Sequence, residues 1–207
     1  MASTLVFPDG IRLAIRDDIP GPELERAASW ARVQSANIAR GFTLKESDQT
    51  GFALYAEVNV DAPRIWAVFR DLCEALLGPV ATLLIGEIDE EPTALGPAGT
   101  PRLLSLLEKH QYQLAHDGFI QFGLAEVRKN LLTEVFVTQT KHFNVWLNDE
   151  GFFRAILQRH GISEADKLEF LDEYPRTTTR LPEDKVLCLH GQFVEHFRKE
   201  IGSLSSS

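Results

Sequence analysis

The sequence predicts an α+β fold, a mostly antiparallel sheet packed with helices, and three observations predict it. Segments within residues 52–60, 119–127 and 134–147 alternate apolar and polar side chains, the period of a half-buried strand. Turn residues at His116-Asp117-Gly118 and Arg128-Lys129-Asn130 join neighbouring segments closely, as in an antiparallel meander. Apolar stripes at helical spacing run through residues 65–77 and 186–201. With 207 residues, 44% apolar and 25% charged, the composition is that of a globular protein. No repeat, low-complexity block or linker divides it, so residues 1–202 read as one domain and 203–207 as a flexible Ser-rich tail.

Taken in order, Val6, Ile11, Leu13 and Ile15 alternate around Pro8-Asp9-Gly10, which fits a short hairpin or an extended arm. After Pro20-Gly21-Pro22 the chain is rich in Ala, Glu and Arg and reads as a helix through Arg40, ended by Gly41. Phe52, Leu54, Ala56, Val58 and Val60 share one parity and make a strand. Asp61 and Pro63 suit the start of a helix whose stripe is Ile65, Trp66, Phe69, Leu72, Cys73, Leu76 and Leu77, stopped by Gly78-Pro79. Val80–Ile88 is nearly all apolar and reads as an interior strand. Residues 89–101, rich in Pro and Gly, read as a loop, and Thr100-Pro101 opens a helix. Asn148 or Asp149 caps a helix carrying Phe152, Phe153, Ile156 and Leu157. Residues 163–175 admit two readings, a helix begun by a capping box at Ser163 or an imperfect strand at 168–174. Pro182 opens a last helix bearing Val186, Leu189, Phe193, Val194, Phe197 and Ile201.

The net charge is -9, and it is unevenly placed. Residues 51–100 hold Glu57, Asp61, Asp71, Glu74, Glu87, Asp89, Glu90 and Glu91 against Arg64 and Arg70. Binding to a phosphate backbone draws its affinity from clustered cations, so this balance speaks against nucleic acid and for a basic protein partner. No apolar run reaches the ~18–20 residues of a spanning helix. The start shows no basic segment followed by an apolar core, and Cys73 and Cys188 sit in amphipathic patterns that suit reduced core thiols, so a cytoplasmic protein is expected.

Candidate chemistry is sparse. No His pair has the spacing that places two imidazoles on one helix face, since His190 and His196 point apart on a helix, as do His110 and His116; no metal is expected. Gly96-Pro97-Ala98-Gly99-Thr100-Pro101 lacks the Lys and the amide donors of a phosphate loop, and no cofactor is expected. Glu87, Asp89, Glu90 and Glu91 cluster at the end of the 80–88 strand, where three readings stand: a partner-facing acidic rim, a solvated loop or an acid/base site. The enzymatic alternative is a small hydrolase or transferase with its site assembled from His116, Asp117, Glu87 and His142. Its rival at His116-Asp117-Gly118 is plain turn geometry. In residues 141–147, Phe143, Val145 and Leu147 alternate with His142, Asn144 and Trp146. If the first set faces the core, Trp146 stands on the outer face as an anchor for a partner; packing beneath a helix is the other reading. A small-molecule-binding domain, the third class, requires a sizeable cavity.

Four segments carry a resemblance to a known family: Asp117-Gly-Phe-Ile-Gln-Phe-Gly123, Glu134-Val-Phe-Val137, Lys141-His-Phe-Asn-Val-Trp146 and Phe170-Leu-Asp-Glu-Tyr-Pro175. Together they resemble immunity proteins of bacterial polymorphic and contact-dependent toxin systems. The resemblance spans residues 117–175 and rests on packing and turn motifs. It implies a non-catalytic protein that binds a cognate toxin domain, such as a basic nuclease, and blocks it. Partner contacts are then expected at Glu87, Asp89, Glu90, Glu91 and Trp146.

Overall fold

A strand with one buried face needs a second layer to cover it, and here helices supply that layer. The computed structural model describes residues 5–88, 90–189 and 191–204. In chain order its elements are β1 (Ile11–Leu13), α1 (Glu23–Ser35), β2 (Gly41–Glu46), β3 (Leu54–Asn59), α2 (Ile65–Leu76), β4 (Val80–Glu87), β5 (Thr93–Gly99), α3 (Thr100–Glu108), α4 (Gln111–His116), β6 (Ile120–Arg128), β7 (Leu131–Val137), β8 (Phe143–Leu147), α5 (Glu150–Arg159), β9 (Arg176–Thr178) and α6 (Phe193–Leu204). Seven strands form one sheet in the order β2-β3-β8-β7-β6-β4-β5, every neighbouring pair antiparallel, and β1 pairs with β9 apart from it. The α+β class is therefore as the alternating segments require.

One face of the large sheet is closed. Ala56, Val58, Phe143, Val145, Leu147, Val135, Val137, Phe122, Leu124, Leu83 and Ile85 point into the core. The stripe of α2 lands on them, with Phe69 edge-on to Phe122 at 4.9 Å between ring centroids. From α5, Phe153 meets Phe42 of β2 at 5.4 Å. Phe193 and Phe197 of α6 are fully buried, in an element lying against β4 and β5. Each fully buried Phe contributes about 2–3 kcal/mol of apolar burial, so this face carries most of the fold's stability.

Several local expectations are corrected. Residues 93–99 are not loop but the edge strand β5. Pro97 donates no ladder hydrogen bond, which an edge position tolerates, and the β4–β5 register shifts between Ala81 and Leu83. The helix after Pro22 stops at Ser35, and Gly41 opens β2 rather than closing the helix. Gly41 lies within 3.2 Å of where a side chain would meet Ser163 and Leu168, so it serves close approach. Residues 5–16 form an arm, with β1 reaching across to β9 instead of folding on itself, and Thr4 lies outside the described residues. Ser163 opens no helix; residues 163–175 run extended into a single turn at Leu171–Glu173. The last helix begins at Phe193, because Gly191 turns the chain at a φ of 82° and leaves Val186 and Leu189 outside it. The β6–β7 turn is as expected: Lys129 and Asn130 both take positive φ, 52° and 66°, the geometry of a tight two-residue hairpin. Asp89, His190 and residues 205–207 of the Ser-rich tail lie outside the described residues.

Candidate functional site

The opposite face of the sheet is only partly covered. At one end the extended 163–175 segment lies on it. Leu168 and Phe170 are buried there, the Asn59 amide donates to the carbonyls of Ala39 and Glu169, and the ring of His142 lies tilted against Phe170 at 4.7 Å between centroids. His142 Nδ1 sits 3.1 Å from both the Thr138 and Thr140 hydroxyls, and burial lowers its pKa. Beyond that end the face is open, and strand register reads out a row across it. Lys45 on β2 faces Tyr55 on β3, Tyr55 faces Trp146 on β8, Trp146 faces Glu134 on β7, Glu134 faces Ala125 on β6, and Ala125 faces Thr82 on β4.

Trp146 does stand on the outer face, because Phe143, Val145 and Leu147 are fully buried on the other. It is half-buried, and its indole lies against Tyr55 at 5.3 Å between centroids. The Tyr55 hydroxyl donates to Asn144 Oδ1 at 3.0 Å, and burial with the negative charge of Glu57 pushes that phenol up to about 12. Glu57 pairs in turn with Lys45 at 3.2 Å. On the far side of Trp146, Glu134 is mostly buried. Burial alone raises its carboxyl to about 7, and among the described residues no hydrogen bond or ion pair engages it. A carboxylate held on a half-buried aromatic face without a counter-charge among the described residues costs stability, because burial disfavours its charged form. Leu132 and Val127, paired in the next row, border it with apolar surface.

The four residues of the enzymatic alternative are each engaged separately, and no hydrogen bond joins any two of them. Glu87 is buried, so it is not part of an acidic rim: its carboxylate accepts the N–H groups of Gly191 (2.7 Å) and Phe193 (3.1 Å) and caps the start of α6. His116 stacks on Tyr112 at 4.4 Å, and its Nδ1 accepts the Asp9 N–H at 3.2 Å. Asp117 accepts the Phe119 N–H at 3.0 Å, as an Asx turn. His142 belongs to the covered end of the outer face. Beside Asp117, burial lowers Lys141 to about 7 while its ammonium donates to the Ile120 carbonyl. Glu90 and Glu91 are exposed at the β4–β5 hairpin.

Two features escaped the sequence. His110 and His196, 86 residues apart in sequence, meet with their Nε2 atoms 3.2 Å apart; among the described residues no third His, Cys, Asp or Glu joins them or forms any other three-ligand cluster. A groove of about 700 Å³ runs between α2 and α3, lined by Trp66, Arg70, Leu77, Pro79, Leu104 and Glu108. Both cysteines are free and buried, and burial pushes the Cys73 thiol up. No described helix is long and apolar enough to cross a membrane. Comparison of the chain with protein-family models, with curated proteins and with solved structures finds no match.

Proposed function

We propose that this chain is a non-catalytic binding protein of the immunity type, which docks a cognate bacterial toxin domain on the open face of its sheet. The observation that carries the reading is the half-buried row Tyr55–Trp146–Glu134, with aromatic anchors next to a carboxylate that no cation among the described residues neutralises. The charge supports it as well. At -9 the chain is drawn toward a basic partner, and nuclease domains are basic because their substrates are polyanions. The resemblance of residues 117–175 to immunity proteins points the same way, and the row draws two of its members, Glu134 and Trp146, from that stretch.

The test is protection. The gene adjacent to this one is expressed in a susceptible cell with and without this chain, and the two purified products are titrated by calorimetry. Survival only in the presence of the chain, with a 1:1 complex, supports the reading. Equal killing and no complex at micromolar concentration overturn it.

A further inference from the structure

We infer that Glu134, Trp146 and Tyr55 form a receptor for one arginine side chain of the protein partner. The inference rests on the binding reading above and names the chemistry of its central contact. Three features of the row select a guanidinium. First, Glu134 lies next to Trp146 in register, and side chains directly opposite on antiparallel strands are within ~4.5–5.5 Å at Cβ. A planar fork stacked on the indole therefore reaches the carboxylate with two N–H donors, which a compact ammonium cannot do. Second, the local cations are already committed. Lys45, the cation of the row, is paired with Glu57 at 3.2 Å, and no ion pair among the described residues reaches Glu134, so its carboxylate is open to a cation from a partner. Third, the row continues past Glu134 into Ala125 and Thr82, whose short side chains leave space beside the carboxylate.

Other occupants fit the row less well. An anion is repelled by Glu134, and a wholly apolar surface would bury the carboxylate with no partner. A metal ion finds one carboxylate and no further ligand, since no three-ligand cluster exists among the described residues. The groups facing Glu134 across the ladder are Trp146 from β8 and Ala125 from β6, neither of which titrates, and Tyr55 beyond Trp146 keeps its proton to about 12. Glu134 is therefore the group whose ionisation sets the affinity. Its carboxyl titrates near 7, so an arginine binds to the form that dominates above neutrality.

The experiment follows the Trp146 indole N–H by ¹⁵N NMR, assigned by its absence in Trp146→Phe, during titration with N-acetyl-arginine amide. N-acetyl-citrulline amide, of the same shape without the charge, is the control. The expected result is a saturable shift in the millimolar range at pH 8 with the arginine compound, weaker by about tenfold or more at pH 5.5, where Glu134 is protonated. The shift vanishes with citrulline and in Glu134→Gln. Equal shifts from both compounds, or a shift retained in Glu134→Gln, overturn the receptor. Broadening of the Trp146 signal with protein concentration, together with a dimer in analytical ultracentrifugation that Trp146→Ala abolishes, identifies a second copy as the occupant and also overturns it. The probe needs no toxin. A chain that takes the arginine compound yet protects no cell loses the immunity reading and keeps the receptor. A protective complex whose footprint avoids Trp146 does the reverse.

Discussion

The two faces of the seven-stranded sheet are built from the same strands, residue by alternate residue, yet they obey opposite rules. On the closed face the row Val58, Phe143, Val137, Phe122 and Ile85 is apolar, fully buried and packed beneath helices. On the open face the alternate positions include Tyr55, Glu57, Asn144, Trp146 and Glu134, all only partly buried, with their polar groups satisfied as far as Trp146 and that of Glu134 left without a partner among the described residues. The contrast teaches where the molecule spends stability. The closed face accumulates apolar burial, while the open face keeps a carboxylate in a site that disfavours its charge, a pattern that makes sense if something outside the fold completes it.

The comparison breaks most visibly on the closed side. Phe122 is fully buried and packed edge-on to Phe69, so Phe122→Ala removes a ring that nothing can replace and should cost about 3–5 kcal/mol in urea unfolding. A loss under about 1 kcal/mol would mean the helical layer is not seated on the sheet.

Glu134→Gln should act in the opposite direction. Because the folded-state pKa is raised from 4.5 to about 7, the native state holds a proton that the unfolded chain has released over that interval. Stability therefore falls as pH rises from about 4.5 to about 7 and stays reduced above it. The variant carries no ionisable group and escapes this loss. With solvent still reaching part of the carboxylate, the gain is about 1 kcal/mol at pH 8 and close to zero at pH 4, read as the difference between thermal midpoints at the two pH values. A gain equal at both pH values would remove the ionisation from the argument.

Trp146→Ala separates stability from binding. The indole gains from its contact with Tyr55, and cross-strand aromatic pairs contribute roughly 0.2–1 kcal/mol, so unfolding should change by less than about 1 kcal/mol. Affinity for the partner should fall by about 2 kcal/mol or more, near 30-fold, as for a central aromatic anchor. Were the unfolding loss instead to match that of Phe122→Ala, Trp146 would be core.

How much of this was legible in the sequence follows from how local each feature is. The α2 stripe was readable because its period, its Pro63 start and its Gly78-Pro79 stop all lie within one segment. The outward orientation of Trp146 was readable by the same logic, since the Phe143–Val145–Leu147 alternation decides it. What was not readable is register. Nothing near Trp146 announces that Tyr55, about ninety residues earlier, packs against it, or that Glu134 rather than Glu57 is the carboxylate left without a cation among the described residues. Glu87 was misplaced for the same reason. A carboxylate at the end of a strand looks solvated until a helix more than a hundred residues later brings two N–H groups to it. The edge strand β5 was hidden by its own composition, because the Pro and Gly that signal a loop are also what an edge strand can accept.

That leaves the acidic hairpin, whose effect should be the smallest and whose direction sharpens the contrast between faces. Glu90 and Glu91 are exposed, and it is the backbone of Glu90 that is engaged, its N–H donating to the Glu87 carbonyl at 3.1 Å and its carbonyl accepting from the Gln121 side chain. Glu90→Gln with Glu91→Gln should therefore leave unfolding within about 0.5 kcal/mol, as for ordinary surface positions. Charge at such a distance from a contact acts through the long-range field, which speeds encounter and is screened over about 10 Å at 0.1 M salt. Stopped-flow mixing with the partner should then show a lower association rate and a flatter dependence on salt, with the dissociation rate unchanged. A change in dissociation instead would place the hairpin inside the interface and shift the docking surface from the Trp146 row toward the β4–β5 edge.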